Sequence, residues 1–464
     1  MKGMTAEAMA KAAGGKLLAC EGILGREITA VVTDSRKIVP GCAFVAIKGE
    51  RVDGHSFVPQ TLADGAMLAI VEVAPEDPTL PCILVESTLL AIQRIAELYR
   101  KNLGLPVVGI TGSVGKTSTK EAVAAVLSRK YRVLKTEKNF NNNLGLPLTI
   151  FRLTEEDEIA VLEMGISHFG EMEDLAQTAR PDVMVITNIG TCHLEFLGDR
   201  DGIFRAKTAC LPFVRDGGLV VLNGEDDKLS QVTSELLGAS GGSRLVFGPV
   251  FYGLSEKNGV YAKNVVTNGL AGSTFTIVMD GREVSAYMPL PGRHMVLNAL
   301  AAAAVGRYFG VADANIVDGL ATMKALGGRV NILETPFGTV IDDCYNASPA
   351  SMKAALELLA SAEGPKTAIL GDMGELGTTE KELHREVGAF AGKLGIDRFL
   401  LAGTLAGEIA EGIKESCPDA EIVHLPNTEA LLADLITVLP KGGNVLVKAS
   451  HFMGFERIVK LLEG

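Results

Sequence analysis

Tryptophan is absent from the 464-residue sequence, and aromatic residues make up only 5% of it. Proteins that bind single-stranded nucleic acid generally stack bases on aromatic side chains, and most nucleic-acid binders carry a clustered basic excess. This sequence has 44 Lys and Arg residues and 56 Asp and Glu residues, which gives a formal net charge of −12. We therefore expect no nucleic-acid partner.

The sequence also lacks paired cysteines and long apolar runs. Its seven cysteines are odd in number, widely spaced and without a C-x-x-C pair, which excludes a disulfide framework or a zinc site of the usual spacing. No apolar run approaches the ~20 residues that span a bilayer. Glu7, Lys11 and Lys16 interrupt the first segment, so we expect a cytoplasmic protein with no signal peptide and no membrane anchor.

What is present is a composition suited to several folded domains. Hydrophobic residues make up 47% and charged residues 22%, and at ~150 residues per domain the length predicts about three domains. The pattern predicts a small N-terminal α/β domain over residues 1–105, a central domain over 106–326 and a C-terminal domain over 327–464.

Short apolar strands alternate with helices in the second and third parts, which predicts an α/β fold with parallel sheets covered on both faces. The predicted strands are 107–111, 159–165, 182–190 and 219–224 in the central domain, and 338–343, 367–372, 398–403 and 444–449 in a Rossmann-like C-terminal domain. Between 259 and 289, the turns Asn268-Gly269 and Asp280-Gly281 predict an antiparallel flap on the central domain.

The strongest local signal is a glycine-rich turn between a predicted strand and a predicted helix. It reads Gly112-Ser113-Val114-Gly115-Lys116-Thr117-Ser118. In such a loop the backbone N–H groups face an anion, the lysine neutralises phosphate and the threonine offers its hydroxyl to Mg²⁺. We predict a P-loop ATP site, although Ile110 stands where the strict pattern has glycine. The alternative is a plain strand-to-helix turn with a solvated lysine.

Two further residues follow buried strands at the edge where open α/β sheets bind ligands. Glu163 offers the carboxylate oxygen that Mg²⁺ prefers, and its alternative role is a helix cap. His193 follows the next strand, and imidazole can ligate Mg²⁺ although oxygen is preferred. Taken alone, a loop histidine such as His193 is more often just a hydrogen-bonded residue.

The loop and several other segments resemble the Mur ligase family, the ATP-dependent amide-bond-forming enzymes of peptidoglycan precursor synthesis. The likeness covers nearly the whole chain. The segments are Asp34-Ser35-Arg36, Asn139 to Pro147, Glu163-Met164-Gly165, Asn188 to His193, Gly292-Arg293-His294 with Asn298, Gly328-Arg329, Asp342 to Pro349 and Leu370 to Gly377.

This resemblance implies roles for individual residues that the composition alone does not indicate. It implies a metal site, with two Mg²⁺ ions, formed by Thr117, Glu163, His193 and Lys207, the last carbamylated by CO₂; from composition alone Lys207 is a surface lysine on a helix. It also implies that Asn298 contacts adenine and that Arg329 and Asp343 reach ATP from the C-terminal domain. Lys116, Glu163, His193 and Lys207 are the implied catalytic residues, and domain closure over ATP is expected.

The resemblance implies substrates as well. Asp34, Ser35 and Arg36 would hold a UDP moiety, and Asn141 and Asn142 would lie on the muramoyl-peptide path; a simple turn is the alternative for each. The Asn139 to Pro147 segment is typical of family members that add D-alanyl-D-alanine to UDP-N-acetylmuramoyl-tripeptide through an acyl phosphate, with the C-terminal domain binding the incoming amine. We expect a monomer.

Other functions remain open at this level. The alternatives are another ligase of the same family, a folylpolyglutamate synthetase, or a P-loop switch or kinase that makes no amide. The sequence also departs from the family near its end, where Lys448-Ala449-Ser450-His451 replaces the more frequent Lys-Gly-Ser-Arg. Because histidine is not a permanent bidentate donor, we expect weaker anion binding at position 451.

Overall fold

A computed structural model describes residues 1–49, 51–233 and 248–464. Three β-sheets follow one another along the chain, and each is built from one continuous stretch of sequence. We call the three parts the N-terminal, central and C-terminal domains. Within the described ranges, no helix is long and apolar enough to cross a membrane.

The N-terminal domain contains a five-stranded sheet of order β1-β5-β4-β3-β2, in which only β1 is antiparallel to its neighbour. Its strands are β1 Lys16–Leu18, β2 Val31–Val32, β3 Ala43–Val45, β4 Leu68–Val71 and β5 Cys82–Leu84, and its helices are Ala6–Ala13, Val58–Ala63 and Thr88–Leu103. The helix Thr88–Leu103 is capped at both ends. The N-cap is Ser87, whose side chain accepts a hydrogen bond from the Leu90 N–H, and the C-cap is Gly104 with φ 70°.

The central domain contains a nine-stranded sheet of order β14-β13-β12-β11-β10-β9-β6-β8-β7. Its strands are β6 Val107–Thr111, β7 Val133–Lys135, β8 Ile159–Glu163, β9 Val183–Ile186, β10 Leu219–Asn223, β11 Val250–Gly253, β12 Val260–Thr267, β13 Ser273–Met279 and β14 Arg282–Met288. Its helices are Lys116–Leu127, Gly145–Ile150, Glu171–Ala179, Leu194–Leu197, Arg200–Thr208, Arg293–Tyr308 and Asp313–Ala321.

This sheet confirms both predictions made for it. Its inner strands are fully buried and parallel, with alternate side chains facing opposite layers: Val183 and Val185 pack into one core, Met184 and Ile186 into the other. The predicted antiparallel flap is the three strands β12 to β14, which extend the same sheet at its edge.

The C-terminal domain is the predicted Rossmann-like unit, with strand order β15-β16-β20-β17-β18-β19 and only β15 antiparallel. Its strands are β15 Asn331–Thr335, β16 Gly338–Asp342, β17 Lys366–Gly371, β18 Arg398–Ala402, β19 Glu421–Leu425 and β20 Asn444–Lys448, and its helices are Pro349–Ala360, Glu380–Ala391, Ala406–Ser416, Thr428–Val438 and Glu456–Glu463. The four predicted strands are confirmed. The partly exposed edge strands β15 and β19 were not predicted, because neither is a continuous apolar run.

One helix crossing in this domain depends on glycine. A Cβ added to Gly388 would lie 2.1 Å from the carbonyl oxygen of Ile409 on the facing helix. We predict that Gly388→Ala lowers the free energy of unfolding by about 1–3 kcal/mol, the usual effect of overpacking. The measurement is the denaturant midpoint of the C-terminal domain. The control is Gly25→Ala, where no atom lies within 4 Å, and equal midpoints would contradict the predicted close crossing.

Candidate active site

The predicted phosphate loop connects β6 to the helix Lys116–Leu127, in the middle of the central sheet. Gly112 and Gly115 have φ values of 146° and 85°, which residues with a side chain rarely adopt. Asn188, at the end of β9, holds the loop in place: its carbonyl accepts from Ser113 N at 3.0 Å and its Oδ1 accepts from Val114 N at 2.9 Å. The loop is therefore anchored to the neighbouring strand.

Lys116 folds back onto this loop. Its Nζ donates to the carbonyl oxygens of Gly112 at 2.8 Å and Ser113 at 3.2 Å. Burial lowers the pKa of Lys116, since removing an ammonium group from water disfavours its charged form. A phosphate anion beside the loop would offset that cost.

A cavity of about 660 Å³ lies in front of the loop and is lined by residues of both the central and the C-terminal domains. Most of the predicted site residues meet here. Those lining the cavity are Ser113, Val114, Gly115, Lys116, Thr117, Ser118, Asn141, Asn142, Glu163, His193, Asn298, Arg329 and Asp343. The predicted site residues that do not line the cavity are Gly112, Lys207, Asp34, Ser35 and Arg36.

Glu163 ends β8 and is only 2% exposed. Its Oε1 accepts a hydrogen bond from Asn141 Nδ2 at 2.8 Å, and its Oε2 lies 3.8 Å from Lys120 Nζ. Oε2 is buried yet has no hydrogen-bond partner. A buried carboxylate oxygen without a partner is unfavourable unless a cation or donor completes it.

Lys207 lies on the helix Arg200–Thr208 but is fully buried, unlike the surface lysine that composition alone suggested. Its Nζ has no hydrogen-bond partner among the described residues. Burial, followed by the charge of Lys116, lowers the pKa of Lys207 to about 7. This shift favours the unprotonated amine, the form that reacts as a nucleophile, more than in an exposed lysine.

His193 has a left-handed backbone with φ 63° and lies at the start of the short helix Leu194–Leu197. Its Nδ1 is 2.5 Å from Oε2 of Glu375, a residue of the C-terminal domain. This contact is the main reason why the pKa of Glu375 is lowered. The two domains thus meet directly at His193.

The wall formed by the C-terminal domain carries its own network. Asp343 Oδ2 accepts from Lys448 Nζ at 2.5 Å, and Asp343 Oδ1 accepts from Val330 N at 3.1 Å. The Arg329 guanidinium lies 3.9 Å from the centre of the Tyr345 ring. Tyr345 also stacks on His451 at a centroid distance of 5.5 Å, so the histidine at the divergent position 451 has an aromatic partner.

Two predicted binding residues also have structural roles. Asn298 Oδ1 accepts from Thr119 Oγ1 at 3.0 Å, which joins the helix Arg293–Tyr308 to the loop helix. Asn142 Oδ1 accepts from Gly145 N at 2.8 Å, where the helix Gly145–Ile150 begins. Both residues still line the cavity.

The predicted UDP-binding residues form an exposed turn. Asp34 precedes the 3-10 helix Ser35–Lys37, and its carboxylate accepts from Arg36 Nε at 2.9 Å. The side-chain hydrogen bond with Arg36 is the main cause that lowers the pKa of Asp34 to about 2. The geometry is that of the simple turn, and a role in binding remains a prediction.

Several residues in or next to the cavity were not predicted. Lys120 is buried beside Glu163, and its position four residues after Lys116 places it on the same helix face. Asn188, Tyr345, Glu375 and Lys448 belong to segments noted in the sequence, but contacts between distant segments decided their roles.

The residues fit the Mg²⁺ that such a site implies. Glu163 Oε2 is a buried oxygen without a partner, and the Thr117 hydroxyl borders the same cavity. Both are hard oxygen donors of the kind Mg²⁺ prefers. Over residues 1–49, 51–233 and 248–464, no three His, Cys, Asp or Glu side chains converge as a complete ligand set.

Three family models match the chain in sequence order. The Mur ligase family catalytic domain matches residues 27–115, the Mur ligase middle domain matches 110–306, and the Mur ligase glutamate ligase domain matches 328–451. Together with its full-length relatives, these matches show that the chain belongs to the Mur ligase family, a family of ATP-dependent ligases.

One relative is the UDP-N-acetylmuramoyl-tripeptide–D-alanyl-D-alanine ligase of Bacillus subtilis, which is 40% identical over 93% of each chain. A crystal structure of MurF from Acinetobacter baumannii has a TM-score of 0.89 and 32% identity, and the alignment covers 99% of this chain and 98% of that one. A crystal structure of MurF ligase from Thermotoga maritima in complex with ADP has a TM-score of 0.80 and 31% identity, with 94% and 97% covered.

The loop geometry generates a prediction for nucleotide binding. A Cβ added to Gly112 would lie 1.9 Å from Thr187 Oγ1, at a backbone conformation that alanine avoids. We predict that Gly112→Ala weakens binding of a non-hydrolysable ATP analogue at least about 10-fold, which is about 1.4 kcal/mol. Calorimetry measures this, with Gly22→Ala as the control because nothing lies within 4 Å there. Unchanged affinity would show that the loop does not hold nucleotide in this conformation.

Proposed function

We propose that this chain joins D-alanyl-D-alanine to the terminal carboxylate of UDP-N-acetylmuramoyl-tripeptide, with ATP converted to ADP and phosphate. The observation that carries this proposal is the cavity in which the phosphate loop and Glu163 of the central domain face Arg329 and Asp343 of the C-terminal domain. The full-length similarity to ligases named for this reaction supports the choice of substrates.

Amide formation needs a better leaving group than oxide, and ATP supplies one. The tripeptide carboxylate attacks the γ-phosphorus, ADP leaves, and an acyl phosphate forms. The free amine of D-alanyl-D-alanine then attacks the acyl carbon, phosphate leaves, and the nitrogen loses its extra proton. Backbone N–H groups of the loop and the Lys116 ammonium stabilise the phosphate oxygens through both steps, since phosphoryl transfer depends mainly on positioning and charge neutralisation.

Glu163, Thr117, His193 and a carbamate on Lys207 would hold up to two Mg²⁺ ions. Bound there, Mg²⁺ would neutralise charge on the transferred phosphoryl group. The buried Lys207 amine supports carbamylation, because CO₂ reacts with an unprotonated amine and the product is an anion with oxygen donors. That product would supply the oxygen donors that the described side chains lack.

The three domains divide the substrates between them. Residues 1–105 bind the UDP moiety through Asp34, Ser35 and Arg36, and Asn141 and Asn142 guide the muramoyl peptide. The region 106–326 binds ATP, with Asn298 on the adenine, and 327–464 binds the incoming dipeptide while Arg329 and Asp343 contact ATP. The enzyme works as a cytoplasmic monomer that closes over ATP and excludes water from the acyl phosphate.

A panel of amine acceptors tests this proposal. ADP release and the mass of the UDP product are measured with D-alanyl-D-alanine, a diamino acid, glutamate and single alanine. We predict efficient addition of the dipeptide alone, and no ADP release when either the UDP substrate or the amine is omitted. Efficient addition of glutamate or a diamino acid instead would reassign the substrate within the family, and ADP release without an amine would favour a nucleotide switch.

Carbamylation is tested at Lys207. Lys207→Ala should lose activity on the order of 10²-fold or more, as expected for a residue supporting phosphate charge, and added short carboxylates should restore part of it. Lys207→Arg should stay inactive, because guanidinium does not form the carbamate. With ¹³CO₂, the wild type should show a carbamate carbon signal that both variants lack. An unmodified ammonium in the active, ligand-bound enzyme would overturn this prediction.

A further inference from the structure

The contact between His193 and Glu375 joins two residues of unusual backbone conformation from different domains. His193 has φ 63° and Glu375 has φ 61°, a region that residues with a Cβ seldom occupy. Such conformations persist where the surrounding structure fixes them, and they cluster at functional sites. Here the two side chains meet, with Nδ1 of His193 2.5 Å from Oε2 of Glu375.

Backbone contacts support this meeting of side chains. Glu195 N donates to the carbonyl oxygen of Glu375 at 3.3 Å. Gly377 also lies against this segment, since a Cβ added there would be 3.3 Å from Glu195 Cα. The loop that carries Glu375 therefore docks on the helix Leu194–Leu197, and the side-chain contact is part of a larger interface between the two domains.

The position of the carboxylate has a consequence for the imidazole. A carboxylate packed against one ring nitrogen restricts the orientation of the ring and leaves the other nitrogen available to a ligand. Here the contact has the distance of an ion pair, while Nδ1 makes no hydrogen bond among the described residues. With Glu375 at Nδ1, that nitrogen is Nε2. His193 borders the cavity beside the phosphate loop, whereas Glu375 is not among the residues that line it.

We infer that Glu375 is a positioning residue that fixes the His193 imidazole across the domain interface. His193 therefore has its working orientation only when the C-terminal domain is docked on the central domain. This couples domain closure to completion of the nucleotide site. The inference rests on the proposed function only in that His193 serves a Mg²⁺–nucleotide site, and it does not depend on which amine is the acceptor.

The first test uses the ring nitrogens as a signature. Protein labelled with ¹⁵N-histidine is studied by NMR with saturating ADP and Mg²⁺, and the His193 signals are assigned by their loss in His193→Ala. We expect Glu375→Ala to shift the His193 ring signals, and Glu375→Gln, which keeps an oxygen acceptor, to shift them less. The matched control is Glu195→Ala, because the Glu195 side chain is exposed and makes its contact with Glu375 through the backbone.

The second test uses magnesium and nucleotide. For Glu375→Ala, we expect the Mg²⁺ concentration for half-maximal rate to rise about 10- to 100-fold, the usual effect of removing a partner of a metal-binding histidine. The KM for the UDP substrate should stay the same. The affinity for ADP with Mg²⁺ is measured by calorimetry. Glu375→Ala should weaken this binding when His193 is present, and it should have little further effect when it is added to His193→Ala.

Two results would overturn the inference. In the first, the His193 ring signals are the same in Glu375→Ala as in Glu195→Ala. In the second, Glu375→Ala weakens ADP binding as much in the His193→Ala background as in the protein that keeps His193. The second result would indicate a purely structural contact. These outcomes are separate from failure of the proposed function. ADP binding and NMR require no acceptor, so a different result in the acceptor panel would leave both measurements interpretable.

Discussion

Two neighbouring amino groups set the chemistry of the cavity. Lys207 is fully buried and Lys116 is half-buried, and the charge of Lys116 contributes to the lowered pKa of Lys207. Two cations in a weakly polar environment repel each other, and each loses hydration energy. Such an arrangement is stable only if one group gives up its proton or an anion enters. The site is thus favourable to an anion such as phosphate.

The two walls of the cavity are held in different ways. On the central domain, the side chain of Asn188 holds the phosphate loop and the side chain of Asn141 holds Glu163, each through a hydrogen bond. On the C-terminal domain, Lys448 engages Asp343, and Arg329 rests on Tyr345. Each wall is therefore organised before nucleotide arrives. The two walls are joined by interface contacts such as that of Glu375 with His193.

The sequence predicted the sheets and the position of the phosphate loop between a strand and a helix well, because both depend on local signals. Buried parallel strands are continuous apolar runs, and the phosphate loop follows one of them. The edge strands β15 and β19 lack that signal. Lys207 is a clearer case: its helix position resembles that of a surface lysine, and only packing against the central domain buries it. The roles of Lys120, Glu375 and Lys448 depend on contacts between residues far apart in sequence, which no local pattern encodes.

The strand order of the C-terminal sheet has a consequence for how the protein is made. β20 follows all the other strands in sequence, yet it lies between β16 and β17 in the middle of the sheet. A ribosome that has released residues up to β19 has therefore produced a sheet with its centre missing, while the N-terminal and central sheets are complete. Lys448, which contacts Asp343, is the last residue of β20. During translation, the phosphate loop can thus form long before the opposite wall of its cavity exists.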